Sequence, residues 1–331
     1  MGQKIVIAGG AGQLGGILAR GLRRAGHHVV ILSRGAKGTP GVVPWDGRTL
    51  GPWARELDGC HTVINLAGRS VNCRYTEANL REMLESRVES TRVVGEAIAQ
   101  AERPPRLWLQ MSTATIYAHT FGEPNDERSG QLGGSEPGVP AYWKRSIDIA
   151  TAWERALEEA PTPHTRKVVL RTAMVMSAEP DGVFEVLLRL VRFGLGGAVG
   201  GGRQYVSWLH EQDFLRAVLF LMEHEELAGP VNLAAPHPLP HRDFMATLRA
   251  AYGRKPGLPA TRWMLELGAW VLRTDTELLL KSRRVVPGRL LEAGFTFQFP
   301  TWPEAAVDLV ARWGARLRQG LAPRDGLAVT R

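Results

Sequence analysis

Three glycines at intervals of three, Gly9, Gly12 and Gly15, stand where the short apolar run KIVIA (residues 4–8) gives way to helical spacing. Leu14, Ile17, Leu18 and Leu22 then recur on one face of a helix read over residues 14–26. A strand that turns directly into a helix across such glycines leaves few folds open. One glycine closes the tight turn, a second lets the backbone approach a pyrophosphate, and a third lets helix and strand pack closely. The free N–H groups at the helix start then face an anion. Glycines also simply close turns. Their position at the first strand–helix junction is what points to a dinucleotide phosphate loop.

The rest of the chain fits that start. HVVILS (28–33), TVINLAG (62–68), RLWLQMST (106–113) and KVVLRTAMVM (167–176) read as further strands, with a helix of about 76–101 between the third and fourth strands of the chain. Short apolar strands alternating with helices imply a parallel sheet covered on both faces, joined by right-handed crossovers. The expected class is α/β, a doubly wound parallel-sheet Rossmann fold with a smaller C-terminal substrate lobe. After residue 176 the pattern changes. A helix near 183–193 leads into the glycine-rich GLGGAVGGGRQ (194–204); a helix of 211–225 and a strand, PVNLAA (230–235), follow. We expect a dinucleotide-binding domain over 1–176 to which 205–235 returns. Residues 177–204 and 236–320 form the substrate-side lobe, and 321–331 a loose tail.

Composition narrows the function classes. The formal charge of +8 comes mostly from scattered arginines; the lysines are only Lys4, Lys37, Lys144, Lys167, Lys255 and Lys281. No long run of like charge and no zinc-finger or RNA-recognition signature is present, so no nucleic-acid partner is expected. Two cysteines, Cys60 and Cys73, argue against a disulfide scaffold and fit a reducing, cytoplasmic setting. No cleavable leader is read at the N-terminus. No apolar run reaches about 18 residues, so no membrane span is expected. No His/Cys/Asp cluster has metal spacing, and no metal is expected. The partner this leaves is a small-molecule substrate.

Ser33-Arg34 closes the second strand. An acidic residue there would bind the ribose hydroxyls of NAD. A hydroxyl and a guanidinium suit a 2′-phosphate instead, which points to NADP. The alternative is that Arg34 is one more surface arginine.

The Gly9/Gly12/Gly15 spacing, Asn65-Leu66-Ala67-Gly68 and Ser112-Thr113-Ala114-Thr115-Ile116-Tyr117 together resemble the extended short-chain dehydrogenase/reductases. A narrower resemblance rests on WDG (45–47), SRVESTRVV (86–94), GLGGAVGGGRQYVSWLH (194–210), GPVNLAAP (229–236) and RRVVPGRLLEAGFTFQFP (283–300). These are similar to an atypical subgroup, the epimerase-family or NAD-dependent epimerase/dehydratase proteins, with a distinctive C-terminal segment. The resemblance spans roughly residues 1–310. It implies NADP in the crevice, touching Gly9, Gly12, Gln13, Leu14 and Gly15, with Ser33 and Arg34 at the adenosine phosphate. It also implies Leu66, Ala67 and Gly68 beneath the ribose and pyrophosphate, Ser112 at a strand end, and Glu82 and Arg87 reaching in from the following helix. Arg87 pairing with Glu82 or Glu85 on the helix surface is the alternative. The implied activity is that of an NADP-dependent oxidoreductase or epimerase acting on a small polar, sugar-like molecule. An NADP-binding regulatory or scaffold protein without turnover is the competing reading. The extended family often dimerises, and a homodimer through the helices at 76–101 and 141–160 would use Val88, Val93, Val94, Ile98, Ile149 and Trp153. Burial within one protomer explains the same pattern.

In the larger family a Ser or Thr at a strand end works with a Tyr-x-x-x-Lys pair, the lysine lowering the tyrosine's pKa. Thr113 matches the hydroxyl, and Tyr142 is the candidate tyrosine. Two registers are open. With Pro140 at the helix start, Tyr142 lies in the first turn and Ser146 replaces the lysine; Lys144, two residues on, is about 200° around the helix. Anchored instead on Trp153-Glu154, Ser146 replaces the tyrosine and Ala150 the lysine. The lysine is missing in both. Further candidates are Arg203, Trp208, His210 and Asp213 in RQYVSWLHEQD, with His210 either an acid/base or a structural hydrogen-bonding residue. Asp213 is expected to stabilise a helix start. Arg69, Asn72 and Arg74 follow a strand at its carboxyl end, where they could hold an anion or simply be solvated.

Overall fold

The structure is a computed structural model that describes residues 2–35, 40–180, 182–254, 257–258 and 277–319. Seven parallel strands form its main sheet: β1 (Lys4–Ala8), β2 (His28–Ser33), β3 (Val42–Pro44), β4 (Thr62–Asn65), β5 (Leu107–Thr113), β6 (Arg166–Thr172) and β10 (Gly229–Leu233). Their spatial order is β10-β6-β5-β4-β1-β2-β3. The order reverses between β1 and β4, which run in register from Ile5 opposite Thr62 to Ala8 opposite Asn65. In such sheets ligands lie outside the carboxyl ends of the strands at this reversal.

Alternation along each strand splits the core into two layers. Ile5, Ile7, Leu107 and Leu109 face one side, with Leu18 and Leu22 of α1 (Gln13–Arg24) and with Phe214, Val218 and Leu221 of α5 (Glu211–Glu223). Val6, Ala8 and Trp108 face the other, with Val93, Val94 and Ile98 of α2 (Glu77–Ala99). Strands buried on both faces read as unbroken apolar runs, as these do. α3 (Lys144–Glu158) packs beside α2, and Trp153 donates from its indole to Thr91 at 3.1 Å. Val93, Val94, Ile98 and Trp153 are therefore buried within one protomer, and Val88 and Ile149 are half-buried. The protomer's own core accounts for four of the six apolar residues that raised a homodimer, and Val88 and Ile149 keep part of their surface exposed.

The single strand read over 167–176 is two. At Ala173 the chain leaves the main sheet, and β7 (Met174–Met176) pairs in parallel with β9 (Trp208–His210). β8 (Tyr205–Val206) pairs with β11 (Leu239–Pro240). A third core gathers there around α4 (Val183–Arg192), α6 (His241–Tyr252) and α9 (Trp302–Arg318). Trp302 anchors it, stacked at 4.0 Å on Phe244 and donating its indole N–H to the Phe244 carbonyl at 2.9 Å. Two short helices, α7 (Glu277–Leu280) and α8 (Gly288–Glu292), carry the chain between these elements. The tail expected over 321–331 lies outside the described residues.

Gly9 is where the fold leaves least latitude. Its φ of 74° is in the left-handed region, and a Cβ there would sit 2.7 Å from the Ala67 Cα. At Gly12 a Cβ would meet nothing within 4 Å. Gly9→Ala is expected to cost about 2–4 kcal/mol through strain and overpacking, and Gly12→Ala under about 1 kcal/mol. Urea unfolding of the two variants checks this; equal midpoints would overturn the packing role of Gly9.

Candidate cofactor cleft and active site

A cleft of about 360 Å³ opens at the strand-order reversal. Its floor is the β1–α1 turn with Gly9, Ala11 and Gly12, and Leu66, Ala67 and Gly68 after β4. Gly12 is the N-cap of α1, and no side chain caps that helix. Orphan N–H groups at a helix start need an acceptor from outside the helix, and the open space beside Gly12 admits one. A pyrophosphate fits this cradle. Gly15 serves packing instead, because a Cβ there would lie 2.4 Å from the Gly10 Cα. Gln13 turns away, its amide donating to the carbonyls of Glu179 and Pro180 at 3.3 Å each. Leu14 packs against the sheet core. Of the first-turn residues implied by resemblance, Gly9 and Gly12 thus line the cleft, while the side chains of Gln13 and Leu14 do not.

Ser33 and Arg34 line the far end. Beside them, following β3, is a loop that sequence reasoning noted only as a motif, Trp45-Asp46-Gly47-Arg48. Asp46 builds it, accepting from the backbone N–H of Arg48 and of Thr49 at 2.9 Å each and from the Thr49 hydroxyl at 2.5 Å. Those bonds, the Thr49 hydroxyl first, hold the Asp46 carboxyl down at about 2. Trp45 packs edge-on against Trp53 at 5.3 Å and fixes the loop on the sheet. Arg48 thereby joins Arg34 around the same end of the cleft.

Glu82 and Arg69 pair with each other, and Asn79 Oδ1 accepts from Arg69 at 2.9 Å. The pair lines the cleft at the β4–α2 junction. Arg87 pairs with neither Glu82 nor Glu85. Its guanidinium lies under Gly68, 5.0 Å from the Trp153 ring centre, and donates to the carbonyls of Met83 and Arg69. Burial lowers its pKa to about 10. Asn72 and Arg74 lie in the same surface loop, where the Asn72 N–H donates to Ser70 Oγ at 3.2 Å.

At the end of β5, Thr113 Oγ1 accepts from the Thr115 N–H at 3.1 Å, which leaves the hydroxyl proton to donate. The Ser112 hydroxyl is used elsewhere. It donates to Glu154 Oε1 at 2.6 Å, and Arg171 grips the same carboxylate through Nε at 3.0 Å and Nη2 at 2.7 Å. Arg171 also donates to the Tyr117 oxygen, which donates to Asn232 Oδ1, each at 3.0 Å. This network welds β5, β6, β10 and α3 beneath the strand ends. α3 packs Ala150 against the residues that follow β5, as in the register anchored on Trp153-Glu154. Ala150 packs with Ala114, Ile116 and Tyr117, and Ser146 Oγ donates to Glu277 Oε2 at 2.6 Å. Tyr142 stands one turn earlier, two-fifths exposed, on a short 3-10 turn ahead of α3. Lys144 pairs with Asp148 at the surface.

A lysine does reach the strand ends, from the C-terminal segment. Lys281 Nζ donates to the Thr115 carbonyl at 2.8 Å, and Arg283 Nε to the Thr115 hydroxyl at 3.0 Å. Burial, then the Arg283 charge, lowers Lys281 to about 8. Sequence reasoning missed this pair; the signal available was a rare lysine two residues before the RRVVPG motif.

The RQYVSWLHEQD candidates are engaged in bonds and packing. His210 is wholly buried, its Nδ1 accepting from the Gln212 N–H at 3.1 Å and its Nε2 facing Asp308 at 3.1 Å. Burial lowers it to about 4, so it is neutral and both ring nitrogens are engaged. Asp213, in the first turn of α5, holds the backbone N–H groups of Gln298 and Phe299 at 2.7 and 2.8 Å. Trp208 is buried in the third core, and Arg203 lies over Phe121. Among the described residues, no cluster of His, Cys, Asp and Glu could hold a metal, and no helix is long and apolar enough to cross a membrane.

A sequence profile described as the NAD dependent epimerase/dehydratase family matches residues 5–234. A second, described as a domain of unknown function (DUF1731), matches 260–309. The Epimerase family protein SDR39U1 of Homo sapiens is 30% identical over 311 residues, covering 93% of this chain and 100% of that protein. The Epimerase family protein YfhF of Bacillus subtilis is 29% identical over 313 residues, covering 93% and 98%. The crystal structure of human epimerase family protein SDR39U1 (isoform 2) with NADPH matches with a TM-score of 0.81 at 29% identity, covering 93% of this chain and 99% of that one.

The open space at Gly12 separates binding from folding. Gly12→Val is expected to abolish cofactor binding, since the side chain occupies the phosphate's approach path. The fold should survive. A normal thermal shift with NADPH in this variant would refute the loop assignment.

Proposed function

The chain belongs to the NAD dependent epimerase/dehydratase family, and on that premise we propose that it binds NADP(H) in the cleft and acts as an oxidoreductase or epimerase on a small polar substrate. The observation that carries the reading is the cleft itself. An uncapped helix start opens at Gly12, and Ser33 and Arg34 stand where an acid would favour NAD. A 29% identical human structure with NADPH supports the same choice.

The residues divide the work. Gly9 and Gly12 admit the phosphates to the α1 N–H groups, and Leu66–Gly68 give a flat backbone surface beneath the ribose. Ser33 and Arg34 hold the 2′-phosphate by a hydroxyl bond and a charge. NADP(H), when bound, supplies or takes up a hydride. Thr113 keeps a hydroxyl proton directed to a substrate oxygen, because its own oxygen is already fixed by the Thr115 N–H. Lys281 and Arg283 position Thr113 by holding the carbonyl and the hydroxyl of Thr115. Tyr142 lies at the exposed rim.

One observation favours a second reading, an NADP-binding protein without turnover. α3 packs Ala150 against the residues that follow β5 and bonds Ser146 to Glu277, where a tyrosine and a lysine would otherwise stand. NADPH consumption with a carbonyl panel supports the enzyme; tight NADPH binding without turnover supports the alternative.

NADPH is expected to bind more tightly than NADH, and Arg34→Asp to reverse the preference. A hydrogen bond to a charged group contributes about 1.5–3 kcal/mol, which corresponds to about tenfold to a hundredfold in affinity. Calorimetry giving equal affinities in the parent protein overturns the assignment. Thr113→Val is expected to reduce turnover more than Tyr142→Phe. General acid catalysis contributes about a hundredfold to ten-thousandfold. A loss of that upper size in Tyr142→Phe, with NADPH affinity unchanged, would restore the tyrosine as the proton donor.

A further inference from the structure

The loop after β3 brings a second arginine to the end of the cleft where Ser33 and Arg34 stand. Ser33 is registered with Pro44, and the Trp45 N–H donates to the Ser33 carbonyl at 3.3 Å. The chain therefore leaves the sheet beside Ser33, and Arg48 follows shortly after, lining the same cleft. Arg34 is exposed, and among the described residues its guanidinium makes no hydrogen bond or ion pair.

Arg48 is fixed at its backbone and loose at its charge. Its N–H donates to Asp46 Oδ1 at 2.9 Å, and its carbonyl accepts from Arg92 Nη2 of α2 at 2.8 Å. Arg92 is itself held by Glu89 and Glu96. Residue 48 is thus clamped between its own loop and α2. The side chain is another matter. Its one charged partner among the described residues is Glu85, at 3.4 Å, and the two side chains are 55% and 46% exposed. The other carboxylates nearby are committed elsewhere. Asp46 accepts three bonds within its own loop, and Glu82 pairs with Arg69. Glu85 is therefore the group that competes for the Arg48 guanidinium.

An ion pair this exposed shifts an equilibrium by up to about fivefold. A guanidinium offers phosphate oxygens a fork of N–H donors, and hydrogen bonds to a charged group are worth about tenfold or more. A phosphate at this end of the cleft wins the contest. We propose that Glu85 is the resting counter-ion of Arg48, and that Arg48 leaves it for the 2′-phosphate of NADP(H), which it grips together with Arg34. This rests on the reading of the cleft as an NADP(H) site. Discrimination against NAD(H) then comes from two arginines on two different loops. Glu85 sets its size, because the pair breaks when a 2′-phosphate binds and stays intact when NAD(H) binds. Glu85 thus opposes NADPH alone, and opposes it only through Arg48.

The test is calorimetry on the full chain with NADPH and NADH, and with 2′,5′-ADP and 5′-AMP as probes of the phosphate itself. Both side chains are half-exposed and the loop is held through the backbone of residue 48, so the variants keep the fold. Arg48→Leu is expected to weaken NADPH and 2′,5′-ADP by about tenfold or more and to leave NADH and 5′-AMP unchanged. Glu85→Gln is expected to strengthen NADPH by about two- to fivefold, again with NADH unchanged. In the double variant, Glu85→Gln should add nothing to Arg48→Leu. This cycle separates exchange of the pair from plain repulsion between Glu85 and the phosphate, which would persist without Arg48. A gain from Glu85→Gln that is the same with and without Arg48 overturns the proposal. So does a parent preference for NADPH that Arg48→Leu leaves intact; Arg34 then carries it alone and the NADP(H) reading stands. Equal NADPH and NADH affinities in the parent protein remove the 2′-phosphate site and overturn both.

Discussion

The missing side chain at residue 9 sets the geometry of the cleft. With no Cβ there, the β1–α1 turn closes on the backbone of Ala67, and the loops after two neighbouring strands lie in contact. The Leu66 N–H donating to the Ala8 carbonyl at 2.9 Å, and the Gly9 N–H donating to the Leu32 carbonyl at 3.0 Å, extend the sheet's bonding to its very edge. Because β1 is central and parallel to both neighbours, this one junction fixes where α1 starts, where Gly12 opens and how far Ser33 stands from Gly68. The remaining cleft residues are placed by strands already paired to β1.

Local chemistry made much of this legible from sequence. Gly9, Gly12 and Gly15 announced a strand-to-helix junction because backbone constraints act over a few residues. Ser33-Arg34 fell at a strand end because apolar runs buried on both faces stop where the sheet stops. Long-range side-chain pairing was not legible. Glu82 and Arg69 each read as cofactor or anion ligands, and only the fold shows that they pair with each other while lining the cleft. Ser112 carries a hydroxyl beside Thr113, and only the fold shows it given to Glu154. Residues 167–176 look continuous in hydrophobicity, which cannot report a change of pairing partner at Ala173. His210 shows the same limit: an imidazole in a polar motif cannot be told from a capping residue until its neighbours are known.

Charge placement distinguishes the two sides of the strand ends. On the sheet side, Arg171 and Glu154 form a closed pair that also satisfies Ser112, so the network is rigid and internally balanced. Polar networks of this kind specify one arrangement of the elements that contribute to them. On the C-terminal side, Lys281 and Arg283 spend part of their bonding on Thr115 while lining a cavity. The first arrangement holds the scaffold together, and the second ties the C-terminal segment to the strand-end turn. Where the lysine of the larger family is absent from α3, a lysine of different chain origin supports the strand-end turn.

That origin has a consequence for biogenesis. Thr115 takes its hydrogen bond from a residue 166 positions later, and Asn125 pairs with the backbone of Arg284 and Val286 in the same segment. A chain emerging from the ribosome can pair β1 to β6 and cover them with α1 to α3 long before residue 281 exists. Domains commonly fold as units during synthesis, N-terminal part first, and contacts so distant in sequence are the slowest to close. The cofactor cleft is thus complete while the turn bearing Thr113 still lacks its far wall. The cleft is formed before the strand-end turn is braced in the life of each molecule, and the last fifth of the chain times the interval.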